Sequence, residues 1–363
     1  MLEQIQNKKD LKNFTLSELQ DIVVRLGEPK FRAVQIFKDL YEKRVGNFED
    51  FKTIPKSLRT KLEEEFTLNS IKSFKKQTSV DGSVKYLFSL NDNKNIEAVF
   101  MPWLTEESDI PIRTTLCISS QVGCAVDCKF CATGKLGFTR NLQTSEIIEQ
   151  ITLIEKDLDT KLTNIVFMGM GEPLLNYKNV IGAIEIMTDD NINMINRKRI
   201  TVSTSGVVPK ILQLADEKNP VKLAISLHAT TNGVRDLIVP LNKKLNIQKI
   251  MDAVEVYYRK TKMPVTYEYI PFDGLNDTDR DAKRLAKIAQ RVPSRINIIP
   301  FNDISFTNPT GYAAELKPTP RVKIEEFAER IRFYGGVVIV RDTFGDDIDA
   351  ACGQLALSVK EGV

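Results

Sequence analysis

Three thiols fall within eight residues of this 363-residue chain, in the run Cys124-Ala-Val-Asp-Cys128-Lys-Phe-Cys131, and the chain has only two others, Cys117 and Cys352. A disulfide framework spreads its cysteines through a small secreted domain, whereas so tight a cluster reads as a metal site in a reducing compartment. Gaps of three and two residues put three thiolates on one loop, enough to ligate three irons of a cubane and leave a fourth open to a substrate or cofactor. A zinc knuckle is the alternative, and it needs a fourth ligand from His228, Cys117 or Cys352. One histidine in the whole chain excludes histidine-rich metal sites and mechanisms that require two.

The elements that must position this loop follow from patterning. With 42% hydrophobic and 27% charged residues the chain has ample apolar content for a core, which argues against wholesale disorder and fibrous architectures. No apolar run approaches the roughly 20 residues that cross a bilayer, and the polar start, Met1 to Asn13, carries no apolar leader core, so the expectation is a cytoplasmic protein with no membrane partner. Residues 1 to 70 read as a helical module: Thr15 and Glu18 form a capping-box pattern ahead of Leu16, Leu19, Ile22, Val23 and Leu26, and further helices fit Phe31 to Tyr41 and Pro55 to Phe66. From Ile71 to Met101 the period changes to two, with turn signals at Asp81-Gly82 and Asn91-Asp92-Asn93, which predicts a short antiparallel sheet over 71–109.

Beyond residue 110 strands and helices alternate. Candidate strands are Thr115 to Ser120, Asn164 to Met168, Arg199 to Ser203, Val221 to Ser226, Pro264 to Ile270 and Arg295 to Pro300, with helical patterns such as Ser145 to Leu158, Asn246 to Lys260 and Asp277 to Arg291 between them. Six such units imply a parallel sheet, either doubly wound or a partial barrel. In such folds chemistry collects at the carboxyl ends of the strands. Past the first lie the three clustered cysteines, past the second Gly169-Met170-Gly171-Glu172-Pro173, past the third Ser203-Thr204-Ser205-Gly206, past the fourth Ser226-Leu227-His228 and past the sixth Asn302. Packing alone does not call for that convergence, and it marks the domain as an enzyme.

The C-x3-C-x2-C loop with Phe130 before its last cysteine resembles the radical S-adenosylmethionine (SAM) superfamily. More closely, Cys117-Ile-Ser-Ser-Gln-Val-Gly-Cys124, Phe167-Met-Gly-Met-Gly-Glu-Pro173, Ser203-Thr-Ser-Gly206, Ala224-Ile-Ser-Leu-His-Ala229 and Gly345-Asp-Asp-Ile-Asp-Ala-Ala-Cys352-Gly resemble the RlmN family of adenine carbon-2 methyltransferases, which act on 23S rRNA and tRNA. The resemblance implies an α/β fold: a partial (β/α)6 TIM-like barrel of radical SAM type over 110–346, with the helical module as an RNA-binding accessory domain and 347–363 as a C-terminal segment. It implies a 4Fe-4S cluster on Cys124, Cys128 and Cys131, with SAM on its open iron and two SAM consumed per turnover. Gly171, Glu172, Ser203, Ser226, Leu227, His228 and Asn302 are the matching SAM-binding positions. Cys352 would carry a methyl group and attack carbon 2 after hydrogen abstraction by an adenosyl radical. Cys117 would release the product by forming a disulfide with Cys352, and Glu97, in Asn95-Ile-Glu97-Ala-Val-Phe100, would accept the carbon-2 proton.

Without the resemblance, Glu97 reads as a solvent-facing carboxylate on an alternating strand and Cys117 as a small buried hydrophobe. The aspartates before Cys352 should disfavour its thiolate. The expected partners are 23S rRNA, tRNA and an electron donor such as flavodoxin or ferredoxin, with the protein a monomer. A net charge of +3 permits a nucleic-acid partner, and Lys52, Lys56, Lys61, Lys72, Lys75, Lys76 and Lys85 are candidate phosphate contacts. A Cfr-type carbon-8 methyltransferase would use the same cysteines, although Gly137-Phe-Thr-Arg-Asn-Leu142 and the run from Gly171 to Asn176 look more like RlmN. A glycyl-radical activase would have no use for Cys117 and Cys352, and a zinc-stabilised RNA-binding protein would need no cluster. Purified without oxygen, the protein is expected to be brown and to bleach on reduction in its visible absorption spectrum; a colourless protein containing zinc would refute the cluster.

Overall fold

The computed structural model describes residues 8–105 and 108–357; residues 1–7 of the expected helical module and 358–363 of the C-terminal segment lie outside the described residues. The helical module forms as its patterning requires. Helix α1 (Leu16–Arg25) starts on a capping box in which the Thr15 side chain accepts from the Glu18 N–H and the Glu18 carboxylate accepts from the Thr15 N–H, and it buries Leu19, Ile22 and Val23. Helices α2 (Phe31–Tyr41) and α3 (Lys56–Glu65) complete it. A two-residue parallel pairing of β1 (Lys9–Asp10) with β2 (Phe66–Thr67) brings the ends of the module together. Strands this short carry no readable period in the sequence.

Ten strands then form one sheet, in the order β14-β13-β12-β11-β10-β9-β6-β5-β4-β3. Strands β3 (Ile71–Thr78), β4 (Val84–Leu90), β5 (Asn95–Thr105) and β6 (Ser108–Cys117) are antiparallel neighbours. On its other edge β6 pairs in parallel with β9 (Asn164–Phe167). The antiparallel segment expected as a separate linker region is therefore continuous with the barrel sheet, and the boundary expected at 109/110 falls inside β6. From β9 the parallel strands run in sequence order through β10 (Ile200–Thr204), β11 (Lys222–Ser226), β12 (Val265–Tyr269), β13 (Ser294–Ile298) and β14 (Val338–Val340). A doubly wound sheet would reverse its order at a switch point. This one never reverses, and β14 and β3 remain edges, so it is an open, partial barrel. All six expected parallel strands are present; β14 is a seventh, only three residues long, which the sequence analysis passed over.

Helices α5 (Thr144–Asp157), α6 (Tyr177–Met187), α7 (Val208–Leu214), α8 (Asn232–Ile238), α9 (Ile247–Thr261), α10 (Asp279–Ala289) and α11 (Arg321–Phe333) lie in the crossovers, and a single turn, α4 (Ala132–Lys135), follows the cysteines. A small two-stranded sheet of β7 (Gln121–Gly123) and β8 (Phe138–Asn141) brackets the cysteine loop. Among the described residues no helix is long and apolar enough to cross a membrane. One apolar core runs from Leu11 and the helical module through the barrel, and a smaller one, including Val126, Phe130, Ile238, Ile270 and Phe272, lies beneath the cysteine loop.

The helical module is locked to the barrel through Glu149 of α5. Its Oε1 is 2.6 Å from Lys12 Nζ in a buried ion pair, and its Oε2 accepts from the backbone N–H groups of Ser70 at 2.9 Å and Ile71 at 2.7 Å. Removing one member of a buried pair leaves the other uncompensated. Glu149→Ala is expected to cost about 3–5 kcal/mol in urea unfolding, and Glu149→Gln less, because an amide oxygen still accepts from both N–H groups. A loss in Glu149→Ala no larger than an exposed ion pair gives would show that the module does not depend on this contact.

Candidate active site

The cysteine loop is held at both ends by backbone. Cys124 N donates to Gly137 O at 2.9 Å, Lys129 N to Ile238 O at 2.9 Å and Ala132 N to Gly353 O at 2.7 Å. At Gly123, φ is +75° and any Cβ would fall 1.8 Å from Gly137 O, so only glycine lets β7 and β8 close on the loop. Gly171 answers a similar demand: φ is +100° and a Cβ would meet Gln121 Cβ at 2.5 Å. That contact brings the loop after β9 against β7.

A cavity of about 850 Å³, counting its open mouth, is lined by Cys124, Cys128, Cys131, Gly171, Glu172, Ser203, Ser226, His228 and Cys352, together with Glu268 and other residues. Nine of the thirteen residues expected at the site therefore share one cavity. Leu227 does not: its side chain is buried in the main core, and its backbone N–H donates to Glu268 O. Asn302 lies outside the lining and acts on it instead, its Nδ2 donating to the Cys352 carbonyl at 2.9 Å. Cys117 and Glu97 are buried in the layer behind. Val99 is the cross-strand partner of Cys117, so Glu97, Val99 and Cys117 lie on one face of β5 and β6.

All three loop thiols are free and flank the cavity. Burial pushes Cys124 up to about 12, and raises Cys128 and Cys131; neighbouring thiolates add to the effect at Cys124 and Cys128. Three such thiols ionise together only against a cation, so the donor set suits a metal centre. Among the described residues, no three His, Cys, Asp or Glu side chains are grouped to hold a single metal ion. Each thiolate of a cubane ligates a different iron, so the three thiols need not share one ion. His228 Nδ1 accepts from Ile270 N–H at 3.2 Å, which engages that nitrogen. Burial, helped by Arg235, lowers His228 to about 3, so the ring is neutral and carries its proton on Nε2.

The other polar groups fit a zwitterionic ligand in part. Glu172 is buried, and its carboxylate accepts from Leu174 N–H at 3.1 Å and from Ser205 N–H and Oγ–H, each at 2.7 Å. A carboxylate has about four acceptor positions. These bonds tie the loop after β9 to the end of β10, and the Thr204 hydroxyl adds a further bond to the same carboxylate. The Ser203 and Ser226 hydroxyls, 3.3 Å apart, stand on adjacent strands at the wall.

Cys352 rides on a C-terminal segment that spans the barrel mouth. Gly345 N–H binds Asp81 Oδ2 at 2.7 Å, Thr133 Oγ binds Leu355 O at 2.7 Å, and Leu357 N–H binds Glu97 Oε2 at 3.0 Å. Burial raises the Cys352 thiol pKa while Arg341 opposes the rise; burial raises Cys117 as well, and ionised Cys352 adds to it, which places the two thiols within mutual electrostatic reach. Glu97 is fully buried, not the solvent-facing carboxylate that its strand pattern suggests. Its Oε1 lies 3.7 Å from Lys85 Nζ, and burial raises its pKa against the pull of Leu357 N–H and Lys85. Lys85, expected among the phosphate contacts, is thus buried beside Glu97; Lys52, Lys56, Lys61, Lys72, Lys75 and Lys76 are exposed.

Two residues escaped the sequence analysis. Glu268 lines the cavity from β12; a carboxylate near the carboxyl end of a strand covered on both faces was the available signal. Arg235 on α8 is fully buried and donates to Leu227 O (2.9 Å), Ser205 O (2.6 Å), Ser226 O (3.0 Å) and Asn242 Oδ1 (3.0 Å). Burial lowers it to about 10, still a cation at neutral pH. Arg235→Met is expected to cost roughly 3 kcal/mol or more, since it strands several buried acceptors, and Arg235→Lys should not restore stability, because an ammonium cannot span that fork. Thermal unfolding with iron content checks both; a near-wild-type lysine variant would refute the bracing role.

Comparison with known proteins agrees with this geometry. Residues 118–286 match the radical SAM superfamily model, and residues 9–68 match that of the ribosomal RNA large subunit methyltransferase N-terminal domain. The chain is 44% identical over 354 residues to the probable dual-specificity RNA methyltransferase RlmN of Thermotoga neapolitana, covering 97% of this chain and 98% of the relative. It is 41% identical over 348 residues to the dual-specificity RNA methyltransferase RlmN of Pelobacter propionicus, covering 96% of each. The crystal structure of a radical SAM methyltransferase from Sphaerobacter thermophilus superposes with a TM-score of 0.86 at 37% identity, over 96% of this chain and all of that one. Full-length identity at this level, on a barrel that gathers the cysteine loop and Cys352 around one cavity, places the chain in the RlmN family of the radical SAM superfamily.

Proposed function

We propose that this chain methylates carbon 2 of adenosine in 23S rRNA, and of the adenosine next to the anticodon in tRNA, at the cavity of its radical SAM barrel. The observation that carries the reading is the presence of Cys352 in the same cavity as Cys124, Cys128 and Cys131, with Cys117 behind it. The 4Fe-4S cluster and SAM, when bound, supply the methyl group and the one-electron chemistry that activates it. Carbon 2 of adenine has no nucleophilic lone pair, so a methyl-carrying thiol solves a problem that simple displacement does not.

Cys124, Cys128 and Cys131 hold the cluster. Gly171, Glu172, Ser203, Ser226 and His228 line the space for SAM, with His228 Nε2–H as a neutral donor. Asn302 fixes the Cys352 backbone. Cys352 carries the methyl group to the base and is left joined to it. Glu97, 3.7 Å from Lys85, takes the carbon-2 proton. The Cys117 thiol then attacks Cys352 sulfur, releases the methylated base and leaves a disulfide that must be reduced before the next turnover. Reducing equivalents come from a flavodoxin or ferredoxin, and the chain works as a monomer in the cytoplasm, where its unpaired thiols stay reduced. The exposed lysines of the helical module and of β3 serve as phosphate contacts.

The test is anaerobic incubation with methyl-labelled SAM, a reductant and RNA, followed by mass spectrometry of the nucleosides. The label is expected on carbon 2 of adenosine, and Cys117→Ala should accumulate RNA covalently attached to Cys352. Label on carbon 8, or RNA methylation by Cys352→Ala, would refute the proposal.

A further inference from the structure

The cavity wall holds a carboxylate that none of these roles uses. Glu268 stands between Ser226 and Asn297 in the register of the sheet. Its Oε1 accepts from Asn297 Nδ2 at 3.0 Å, whereas Oε2 is buried with no hydrogen-bond partner among the described residues. The residue is 3% exposed, and it lines the same cavity as Cys352. Buried polar atoms are rarely left unpaired, and an acceptor without a donor in a ligand cavity calls for a donor that arrives with the chemistry. Glu268 is within electrostatic reach of both Cys352 and Arg341. A thiol and a carboxylate so placed favour one shared proton over two anions.

We propose that Glu268 takes the proton of the Cys352 thiol as that thiol is methylated. The S–H bond breaks and its proton passes to Oε2, while the sulfur's electron pair forms the bond to the methyl carbon. The bond between methyl and sulfonium sulfur breaks, its electron pair stays on that sulfur, and S-adenosylhomocysteine leaves neutral. One carboxylate anion and one sulfonium cation become a carboxylic acid and two thioethers, so charge balances without an outside reactant. Burial raises the Glu268 carboxyl pKa, which strengthens it as a proton acceptor, and Arg341 opposes the rise. The aspartates that precede Cys352 in the sequence are not among the residues lining the cavity, whereas Glu268 is. The inference rests on Cys352 being the methyl acceptor.

The test uses the full chain with its cluster, methyl-labelled SAM at saturation, and neither reductant nor RNA, so that methyl transfer to Cys352 is followed alone by peptide mass spectrometry across pH. Glu268→Gln is expected to slow transfer at neutral pH by roughly 100-fold or more, the contribution of a positioned base. Its rate should climb about tenfold per pH unit as bulk base replaces the carboxylate, while wild type reaches a plateau. SAM affinity by equilibrium binding should not change. Iodoacetamide alkylation of Cys352 without SAM should instead shift to lower pH in Glu268→Gln, because removing a negative neighbour eases thiol ionisation. Transfer by Glu268→Gln at the wild-type rate and pH profile would overturn the proposal, as would a loss wholly accounted for by weaker SAM binding. Should that variant fail to fold, Glu268→Asp decides: a wild-type-like plateau supports the proposal, and a rate that climbs with pH overturns it. Absence of label on Cys352 in the wild-type protein would be a different failure, that of the methyl-carrier reading itself.

Discussion

The buried guanidinium of Arg235 fixes the geometry on which the site depends. It enters from α8 and donates to carbonyls at Ser205, Ser226 and Leu227, so the segments leaving β10 and β11 are tied to a single rigid fork. Ser205 in turn donates twice to Glu172, which extends the brace to the loop after β9. Three consecutive strand ends are thereby held in register by one chain of hydrogen bonds, in surroundings dry enough to strengthen each of them. The same positive charge acts on Cys128 and Glu172 and helps keep His228 neutral. Arg235 makes no ion pair with a carboxylate among the described residues; its acceptors are neutral oxygens, and Cys128, Asp236 and Glu172 offset its charge from farther away. Ionising the cysteine loop and stabilising Arg235 are therefore coupled.

The C-terminal segment is the second constraint. It is stitched to the turn after β3 by Asp81, to the cysteine loop by Thr133 and Ala132, to the end of β13 by Asn302, and to Glu97 by Leu357. Ile348, Ala350 and Leu355 of the same segment are buried in the main apolar core, so packing as well as hydrogen bonding holds Cys352 over the cavity. At Glu97, Leu357 N–H binds one of the carboxylate oxygens while the other faces Lys85.

How much of this the sequence disclosed depends on the range of the interactions involved. The capping box at Thr15 and Glu18, the six parallel strands and the cysteine spacing are local patterns, and each is found where the sequence places it. Leu227 reads as part of a polar cluster because its neighbours on either side are wall residues; strand alternation turns its own side chain into the core. Lys85 and Glu97 each look like exposed charges on a half-buried strand; both are buried side by side, and Glu97 also binds Leu357, 260 residues away in sequence. Arg235 sits in a short helix with no motif around it; its four partners come from three separate segments. The continuity of the antiparallel strands with the barrel was likewise invisible, because a period of two is the same whichever edge of β6 is paired.

Thiol energetics bring these threads together. Burial raises all five cysteines, so none is a ready thiolate in the bare chain. For the three on the loop the compensation is a cluster's iron, and the fold contributes a buried cation beneath them. Cys117 is the most sheltered, in a strand that pairs on both edges, and burial opposes its ionisation. Cys352 is the one exposed cysteine and the one with both a guanidinium and an unpaired carboxylate in reach. The barrel thus gives five chemically identical side chains three different reactivities, through burial and neighbouring charge alone.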